Sequence, residues 1–218
     1  MEEQKIRNSL QFYLLATQLK EKIRRGWEVW NIDKERVESV AEHIYGTCIL
    51  AISIDSEFKL DIDIHKVVMM LLLHEIEEIK IGDLTPFDKI TKEEKRKIGK
   101  KAVEEVLSTL DKKGQYIELI EEFEEIKTKE SIFAKMCDKL EADIQAKLYC
   151  EEKCLNANKK ENAHLLEDER IKKLLQEGNE TVADLFIEND RPIYTEKIFE
   201  NIADFVKNAK LLNIKEEE

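Results

Sequence analysis

Apolar residues recur at the spacing of an α-helix along almost the whole chain, and this periodicity limits the possible folds more than any other feature. Apolar positions recur about once per helical turn, as one face of a helix requires. In the first segment these positions are Ile6, Leu10, Leu14, Leu15, Leu19 and Ile23. Only six glycines and two prolines interrupt the 218 residues, and so few turn-forming residues argue against a sandwich or a barrel. The sequence therefore predicts an all-α fold, a single compact helical bundle with extra C-terminal helices.

Local signals predict where the next helices begin and end. One helix is expected from about 37 to 54, and another from about 64 to 81, where Gly82 supplies a C-terminal signal. The stretch Thr91-Lys92-Glu93-Glu94 reads as a capping box, in which hydroxyl and carboxylate satisfy each other's free backbone amides. It predicts the start of a helix that ends near Gly114.

The remaining helices predicted from the same periodicity lie at about 116–126, 131–153, 164–176, 182–188 and 196–212. Because no long linker divides these segments, we expect one continuous organisation rather than two separate domains. It consists of a helical core over residues 1–155 and a C-terminal extension over residues 156–218. The extension is expected to pack on the core or on a dimer partner.

The charge of the chain and its longest apolar run exclude two classes of partner. The net charge is −12, from 36 basic and 48 acidic residues, whereas a nucleic-acid binder carries a basic excess that neutralises phosphates. The concentrated basic stretch at 92–101 is interrupted by two glutamates and is interpreted as a solvated helix face. The longest apolar run, Val67–Leu73, is too short to cross a bilayer. We expect neither a nucleic-acid partner nor a membrane.

The cysteines indicate a reducing compartment. The chain has four, at Cys48, Cys137, Cys150 and Cys154, and no segment with the pattern of a secretory signal precedes them. Free thiols in the cytoplasm are therefore the expectation. Cys150 and Cys154 stand four residues apart, but a single pair of this kind is only half of a zinc site.

A histidine followed by acids marks the end of the most apolar segment. His74 directly follows the apolar run Val67–Leu73 and is itself followed by Glu75, Glu77 and Glu78. This order places ionisable groups at the edge of a core. Glu78 lies one helical turn after His74 and on the same side. The zinc-protease pattern requires a second histidine at position 78, so this class is excluded.

Two further residues are candidate ligands from other segments. His43 follows Glu42 at the start of a helix that is otherwise apolar, and Asp138 interrupts the apolar positions of another helix. A buried acid is costly unless it is paired or bound to a metal. Each residue alone also has a simpler interpretation: His43 as a hydrogen-bonded core histidine, His74 with Glu75 as a helix end that reaches water, and Asp138 as a salt-bridged acid.

Taken together, these motifs resemble the HD-domain metal-dependent phosphohydrolases, and most closely their short bacterial 5′-deoxynucleotidase branch. The resemblance covers roughly residues 10–155. The stretches that carry it are, in chain order, Arg24-Arg25-Gly26-Trp27, Glu38-Ser39-Val40-Ala41-Glu42-His43, His74-Glu75-x-x-Glu78 with Gly82-Asp83, and Asp138-Lys139-Leu140-Glu141.

The resemblance implies an HD-domain helical bundle with one divalent metal. Its ligands would be His43, His74, Glu75 and Asp138. Position 75 is Glu, where the family usually has Asp, so the ligand is one methylene longer. Two imidazoles and two carboxylates suit Mn, Co, Fe, Ni or Zn better than Ca.

The resemblance also implies the roles of the residues around the metal. Glu78 would orient or deprotonate water, or protonate the leaving oxygen. Arg24, with Arg25 beside it, would bind the phosphate, Asp83 would hydrogen-bond the substrate, and Trp27 would lie against the sugar. The simpler alternatives are a helix end for the two arginines, a turn cap for Asp83 and a core position for Trp27.

The expected function is therefore that of a hydrolase that removes the 5′-phosphate from deoxynucleoside monophosphates. The expected partners are a small nucleotide substrate and a second copy of the chain in a homodimer. One alternative is another HD-type phosphohydrolase, acting on a nucleoside triphosphate, a guanosine polyphosphate or a phosphosugar. The other is a helical interaction protein whose catalytic site has decayed.

Overall fold

The computed structural model describes residues 1–85, 87–88 and 90–216, and every regular element within them is a helix. This confirms the predicted all-α class. The elements are α1 (Glu2–Ala16), α2 (Arg25–Val29), α3 (Val40–Phe58), α4 (Ile64–Leu73), α5 (Glu78–Ile81), α6 (Lys92–Val106), α7 (Lys113–Glu125), α8 (Lys129–Glu151), α9 (Glu169–Gln176), α10 (Val182–Asp190), α11 (Lys197–Asn208) and α12 (Leu211–Glu216), with 3₁₀ turns at Thr17–Lys20, Lys160–Asn162 and Arg191–Ile193. Within the described residues, none of these helices combines the length and apolar character that a membrane span needs.

The chain divides into two compact units. The first contains Met1–Arg25 and Glu38–Lys135, and the second contains Gly26–Val37 and the chain from Met136 onward. The division falls inside α8, so one continuous helix contributes residues to both units. The predicted organisation into a core over 1–155 and an extension over 156–218 stays a prediction.

The core of the first unit forms where α3 packs on α4, α4 on α7 and α5 on α6. Its buried cluster consists of Leu19, Val40, Ile44, Leu73, Ile76, Ile79, Val103, Val106, Leu107 and Ile120. These residues come from several helices, and burying their apolar surface is the main force that holds the helices together. Because the cluster includes residues of both helices, it holds the start of α3 next to the end of α4.

Side-chain caps fix where three of these helices begin. Ser39 and Glu42 form a capping box at the start of α3, and Asp63 caps α4. The capping box predicted at Thr91 is confirmed at the start of α6. Each cap satisfies backbone N–H groups that have no partner inside the helix, and replacing one by Ala costs about 1 kcal/mol.

The structure corrects two predicted helix boundaries. The helix expected from about 64 to 81 is interrupted, since α4 ends at Leu73 and α5 begins at Glu78. In between, Ile76 donates its backbone N–H to Leu73, three residues back. The C-terminal end of α4 carries a partial negative charge, so the row of acids that follows it is unfavourable in a continued helix. The chain turns there instead. The helix expected to end near Gly114 ends at Val106 instead.

The second unit is built around buried aromatic and amide side chains. Trp30 is 3% exposed, and its carbonyl accepts a hydrogen bond from the amide of Asn162, which is fully buried. In the same unit the hydroxyl of Tyr194 donates to the buried carboxylate of Asp143. Helix α10 packs against α9 and α11. Hydrogen bonds between buried groups of this kind give the unit a defined interior.

Candidate metal centre

The first unit brings together the two histidines that the sequence singled out. His43 lies in the first turn of α3 and is fully buried, and His74 directly follows α4 and is 3% exposed. Their ring centroids are 5.5 Å apart. Phe123 of α7 packs on the ring of His74, with 5.1 Å between centroids. Two imidazoles from different helices therefore converge in a buried position.

Glu75 extends this pair to a cluster of three ligand groups. His43, His74 and Glu75 each offer a ligand atom, and these atoms lie within 4.8 Å of one another. Oε1 of Glu75 is 3.5 Å from Nε2 of His74. Nitrogen and oxygen ligands bind a transition ion at about 2.0–2.2 Å, so two ligands on one ion lie at most about 4.4 Å apart. The 3.5 Å between Glu75 and His74 is within this limit. The longer side chain of Glu75 does not prevent the convergence.

The hydrogen bond of His74 selects the ring nitrogen that faces the cluster. Its Nδ1 is 2.6 Å from the carbonyl oxygen of Leu71. A carbonyl can only accept, so Nδ1 donates, and the lone pair of the neutral ring is on Nε2. Metal-binding histidines are usually oriented in this way. This tautomer and the mixed nitrogen and oxygen donors fit a divalent transition ion.

Arg24 links Glu75 to Asp83 at the edge of the cluster. Its Nη1 lies 3.1 Å from Oε1 of Glu75 and 3.3 Å from Oδ2 of Asp83, and all three side chains are largely buried. The backbone before Arg24 is held by an antiparallel bridge between Ile23 and Ser39. Ser39 is also the cap of α3, so the arginine and the start of the histidine helix are fixed together.

A second acid, which the sequence analysis did not single out, anchors the neighbouring arginine. The backbone N–H of Arg25 donates to Asp83 at 2.8 Å, and its side-chain Nη2 lies 3.3 Å from Oδ1 of Asp88. Asp88 also accepts from the backbone and the hydroxyl of Thr85, at 2.8 and 2.7 Å. The available signal was the Thr85-x-x-Asp88 spacing, which is typical of a capping interaction.

Glu78 lies in a strongly acidic and buried environment. It is 1% exposed, and Oε2 has no hydrogen-bond partner among the described residues. Burial raises the pKa of Glu78 well above its usual range, the negative charges of Glu75 and Asp83 raise it further, and Arg24 opposes them. Without bound metal, this carboxyl therefore holds a proton at neutral pH.

Glu77, which the sequence groups with the other two acids, packs on a different element. Its Cγ lies against Gly99 of α6, where an added Cβ would be 3.6 Å away. Burial, and then the charge of Glu75, raises the pKa of Glu77 to about 8. The turn between α4 and α5 thus separates side chains that stand side by side in the sequence.

Two of the predicted site residues lie in the second unit. Asp138, in α8, is 3% exposed, with its Oδ2 3.8 Å from Nζ of Lys139. Trp27, in α2, is 2% exposed. Its ring stacks on Phe186 at 5.5 Å and meets Tyr149 edge-on at 5.3 Å. The roles of Asp138 as a ligand and of Trp27 as a sugar contact stay predictions.

Comparison with known proteins connects this geometry to named relatives. The 5′-deoxynucleotidase HDDC2 of Dictyostelium discoideum is 36% identical over 149 residues, which cover 65% of this chain and 77% of the relative. The protein of the same name from Homo sapiens is 35% identical, over 66% of this chain and 69% of the relative. Both matches exceed half of either sequence, so they concern most of the fold.

Solved structures share the same architecture. A conserved hypothetical protein from Pyrococcus furiosus matches with a TM-score of 0.58 and 30% identity, over 77% of this chain and 96% of its own. A predicted metal-dependent phosphohydrolase from Magnetospirillum magnetotacticum matches with a TM-score of 0.62, over 95% of this chain and 96% of its own. Its identity is 22%, so it supports the fold alone.

The family model described as "HD domain" matches residues 16–183. This range includes the histidine cluster and both arginines beside it. The match also covers well over half of the chain, which confirms the resemblance inferred from the sequence. The chain belongs to the HD domain family.

Proposed function

We propose that this chain is a metal-dependent phosphohydrolase that removes the 5′-phosphate from deoxynucleoside monophosphates. One observation carries the proposal: His43, His74 and Glu75 offer ligand atoms within 4.8 Å of one another. They do so in a member of the HD domain family whose relatives, at 30–36% identity, are named 5′-deoxynucleotidases. A metal ion held there could polarise a phosphoryl oxygen of a phosphate monoester.

The proposed ligands are the three clustered residues together with Asp138. The resemblance assigns Asp138 this role, and its burial supports it, because a buried carboxylate needs a cation or hydrogen-bond donors. The ion is a divalent transition metal, one of Mn, Co, Fe, Ni or Zn. When bound, it supplies a Lewis acid that polarises a phosphoryl oxygen and lowers the pKa of water.

Arg24 is proposed to bind the phosphate, with Arg25 beside it. Its guanidinium is held next to the ligand Glu75, and a planar guanidinium can bind two phosphate oxygens at once. The two carboxylates on Arg24 keep it in position before the substrate arrives. A prepositioned cation of this kind favours the charge that develops on the transferring group.

Glu78 is proposed to move the proton of the reaction. Its carboxyl is buried beside Glu75 and Asp83, next to the groups assigned to the metal and the phosphate. Asp83 is proposed to hydrogen-bond the substrate, and Trp27 to lie against the sugar. A carboxyl such as that of Glu78 can donate a proton to a leaving 5′-oxygen or accept one from water.

The proposal includes a homodimer and a cytoplasmic location. All four cysteines are free thiols, as a reducing compartment requires. The homodimer follows from the resemblance.

The test measures phosphate release from a panel of deoxynucleoside and ribonucleoside monophosphates with added Mn or Co. The double variant His74→Ala with Glu75→Ala is expected to release no phosphate. His65→Ala is the matched control, because His65 is an exposed histidine of α4, and it is expected to keep full activity.

Each alternative function predicts a different result in the same assay. Release of pyrophosphate or triphosphate from other nucleotides would favour another HD-type hydrolase. Purified protein that contains less than about a tenth of an equivalent of metal after growth with Mn would favour a decayed site, since a functional site binds its ion through all its ligands. Either outcome would overturn the proposed deoxynucleotidase activity.

A further inference from the structure

The two arginines beside the candidate metal centre are held by two acids that follow α5. Asp83 accepts a hydrogen bond from the backbone N–H of Arg25 at 2.8 Å, and its Oδ2 lies 3.3 Å from Nη1 of Arg24. Asp88 contacts the side chain of Arg25, with its Oδ1 3.4 Å from Nε and 3.3 Å from Nη2. Arg25 is therefore held at its backbone by one acid and at its guanidinium by the other.

The carboxylate of Asp88 is itself fixed in its orientation. Its Oδ2 accepts hydrogen bonds from the backbone N–H and the hydroxyl of Thr85, at 2.8 and 2.7 Å, whereas its Oδ1 contacts Arg25. The hydroxyl of Thr85 also accepts a hydrogen bond from the backbone N–H of Phe87 at 3.3 Å. Hydrogen bonds to one oxygen of a carboxylate determine where the other oxygen points. Thr85 therefore sets the direction in which Asp88 presents its charge to Arg25.

The ion pair between Asp88 and Arg25 contributes little to folding. The two side chains are 24% and 43% exposed, and solvent screens pairs of this kind. Partial burial raises the pKa of Asp88, but hydrogen bonds from Thr85 and the contact with Arg25 outweigh it and lower the pKa below its usual value. Asp88 is thus ionised at neutral pH, and the pair orients Arg25 more than it stabilises the fold.

The charge of a phosphate favours a second cation beside Arg24. The guanidinium of Arg24 already faces the carboxylates of Glu75 and Asp83, and these acids compete with a phosphate for its donors. A phosphate monoester carries about two negative charges near neutral pH. Arg25 is the next residue in the chain, and it shares Asp83 with Arg24 as a partner. It is therefore the residue placed to supply the second positive charge.

We propose that Asp88 is a positioning residue, which holds the guanidinium of Arg25 in the orientation that binds the phosphate of the substrate. The inference rests on the proposed phosphohydrolase function, because it concerns the same substrate. A long side chain that loses conformational freedom on binding a ligand weakens that binding. Because Asp88 orders Arg25 before the phosphate arrives, this loss is avoided. A guanidinium has donors on all three nitrogens, so contacts with Asp88 are compatible with bonds to a phosphate.

The experiment compares Asp88→Asn with Arg25→Gln. Asn has a carbonyl oxygen that can accept both hydrogen bonds from Thr85, but it lacks the charge that holds Arg25. We expect Asp88→Asn to weaken the binding of inorganic phosphate to the Mn-loaded protein about fivefold or more, as measured by titration calorimetry. It is expected to raise the KM for a deoxynucleoside monophosphate by a similar factor and to leave kcat within about twofold of the wild type. Arg25→Gln is expected to show the same pattern.

Two further variants separate positioning from a purely structural role. If Asp88 acts through Arg25, the double variant binds phosphate no more weakly than Arg25→Gln alone. The matched control is Asp61→Asn, which removes the same charge from an exposed ion pair, in which Oδ2 of Asp61 lies 3.0 Å from Nζ of Lys129. This control is expected to bind phosphate as the wild type does. Circular dichroism and the thermal midpoint verify that each variant is folded.

The inference is overturned if Asp88→Asn binds phosphate with unchanged or higher affinity, because Asp88 would then have no effect on the phosphate or would compete with it for Arg25. Additive losses in the double variant, or a wild type that binds no phosphate, overturn it as well. Because phosphate binding requires no turnover, its result is separate from that of hydrolysis. A wild type that shows the expected differences in phosphate affinity but hydrolyses no nucleotide contradicts the proposed activity and not the role of Asp88.

Discussion

Nη1 of Arg24 lies 3.1 Å from Oε1 of Glu75, and the same oxygen lies 3.5 Å from Nε2 of His74. One carboxylate thus connects a histidine of the candidate metal centre to the arginine proposed to bind the phosphate. We therefore expect a substitution at residue 75 to affect metal binding and phosphate binding together.

The first prediction concerns the charge of Glu75. Glu75→Gln keeps the length of the side chain but removes its charge, so it weakens the ligand and the ion pair with Arg24 together. We expect the affinity for Mn to fall at least about tenfold, because the loss of a group that supports a bound metal commonly weakens binding by that factor. Titration calorimetry of the metal-free protein measures it.

The control for this substitution is Glu93→Gln, which removes the same charge from an exposed position in the first turn of α6. It is expected to bind Mn as the wild type does. If Glu75→Gln binds the ion with unchanged affinity, Glu75 is not a ligand.

The second prediction concerns the shape of the Arg24 head group. Arg24→Lys keeps the positive charge but loses the planar fork that binds two phosphate oxygens. We expect the KM for a deoxynucleoside monophosphate to rise about tenfold or more, with metal content unchanged. Steady-state kinetics and elemental analysis on the same preparation measure both.

Arg7→Lys provides the comparison, because Arg7 is exposed on α1. It should behave as the wild type does. A loss of bound metal in Arg24→Lys with no change in KM would show instead that Arg24 acts only by holding Glu75.

The third prediction concerns the backbone at Gly82, which precedes Asp83. Gly82 has φ of 76°, a conformation that strains any residue with a Cβ, although the space around it is open. Gly82→Ala is therefore expected to lower the free energy of unfolding by about 1 kcal/mol, and urea denaturation measures this.

Gly114→Ala is the matched control, because Gly114 lies in α7, has open space around it and does not have a positive φ. There the same substitution is expected to raise the free energy of unfolding by up to about 1 kcal/mol. Equal effects at both positions would contradict the backbone explanation.

The fourth prediction concerns stability at acid pH. Hydrogen bonds from Arg191, opposed in part by burial and assisted by Lys207, lower the pKa of Glu188 to about 2. Its unfolded value is 4.5, so the unfolded chain binds this proton more readily than the folded chain. The stabilisation from Glu188 is complete above about pH 4.5 and is lost as the pH falls towards 2.

Glu188→Gln removes this contribution. Because the side chain is partly exposed, we expect a loss of about 1 kcal/mol at neutral pH after solvent screening. The difference in urea midpoint between wild type and variant should shrink between pH 4.5 and 2. A difference that stays constant with pH would mean that the ion pairs of Glu188 contribute no stability.

Local signals in the sequence were sufficient for much of the fold and for part of the site. The capping box at Thr91 predicted the start of α6, and the acids after His74 indicated the position of the candidate metal centre. Other features were missed or predicted wrongly. The helix through His74 is interrupted where a continuous one was expected, and α6 ends at Val106 rather than near Gly114. Asp88 binds Arg25 although its motif did not stand out.

The sequence by itself determined the helical class, the caps and the identity of the candidate ligands, because these depend on residue types and spacings within one or two helical turns. Only the tertiary structure decided that Arg24 meets Glu75, which is 51 residues away, and that Glu77 packs against α6 while Glu75 joins the histidines. Such contacts depend on how the helices pack around the shared core, and no local pattern encodes that packing.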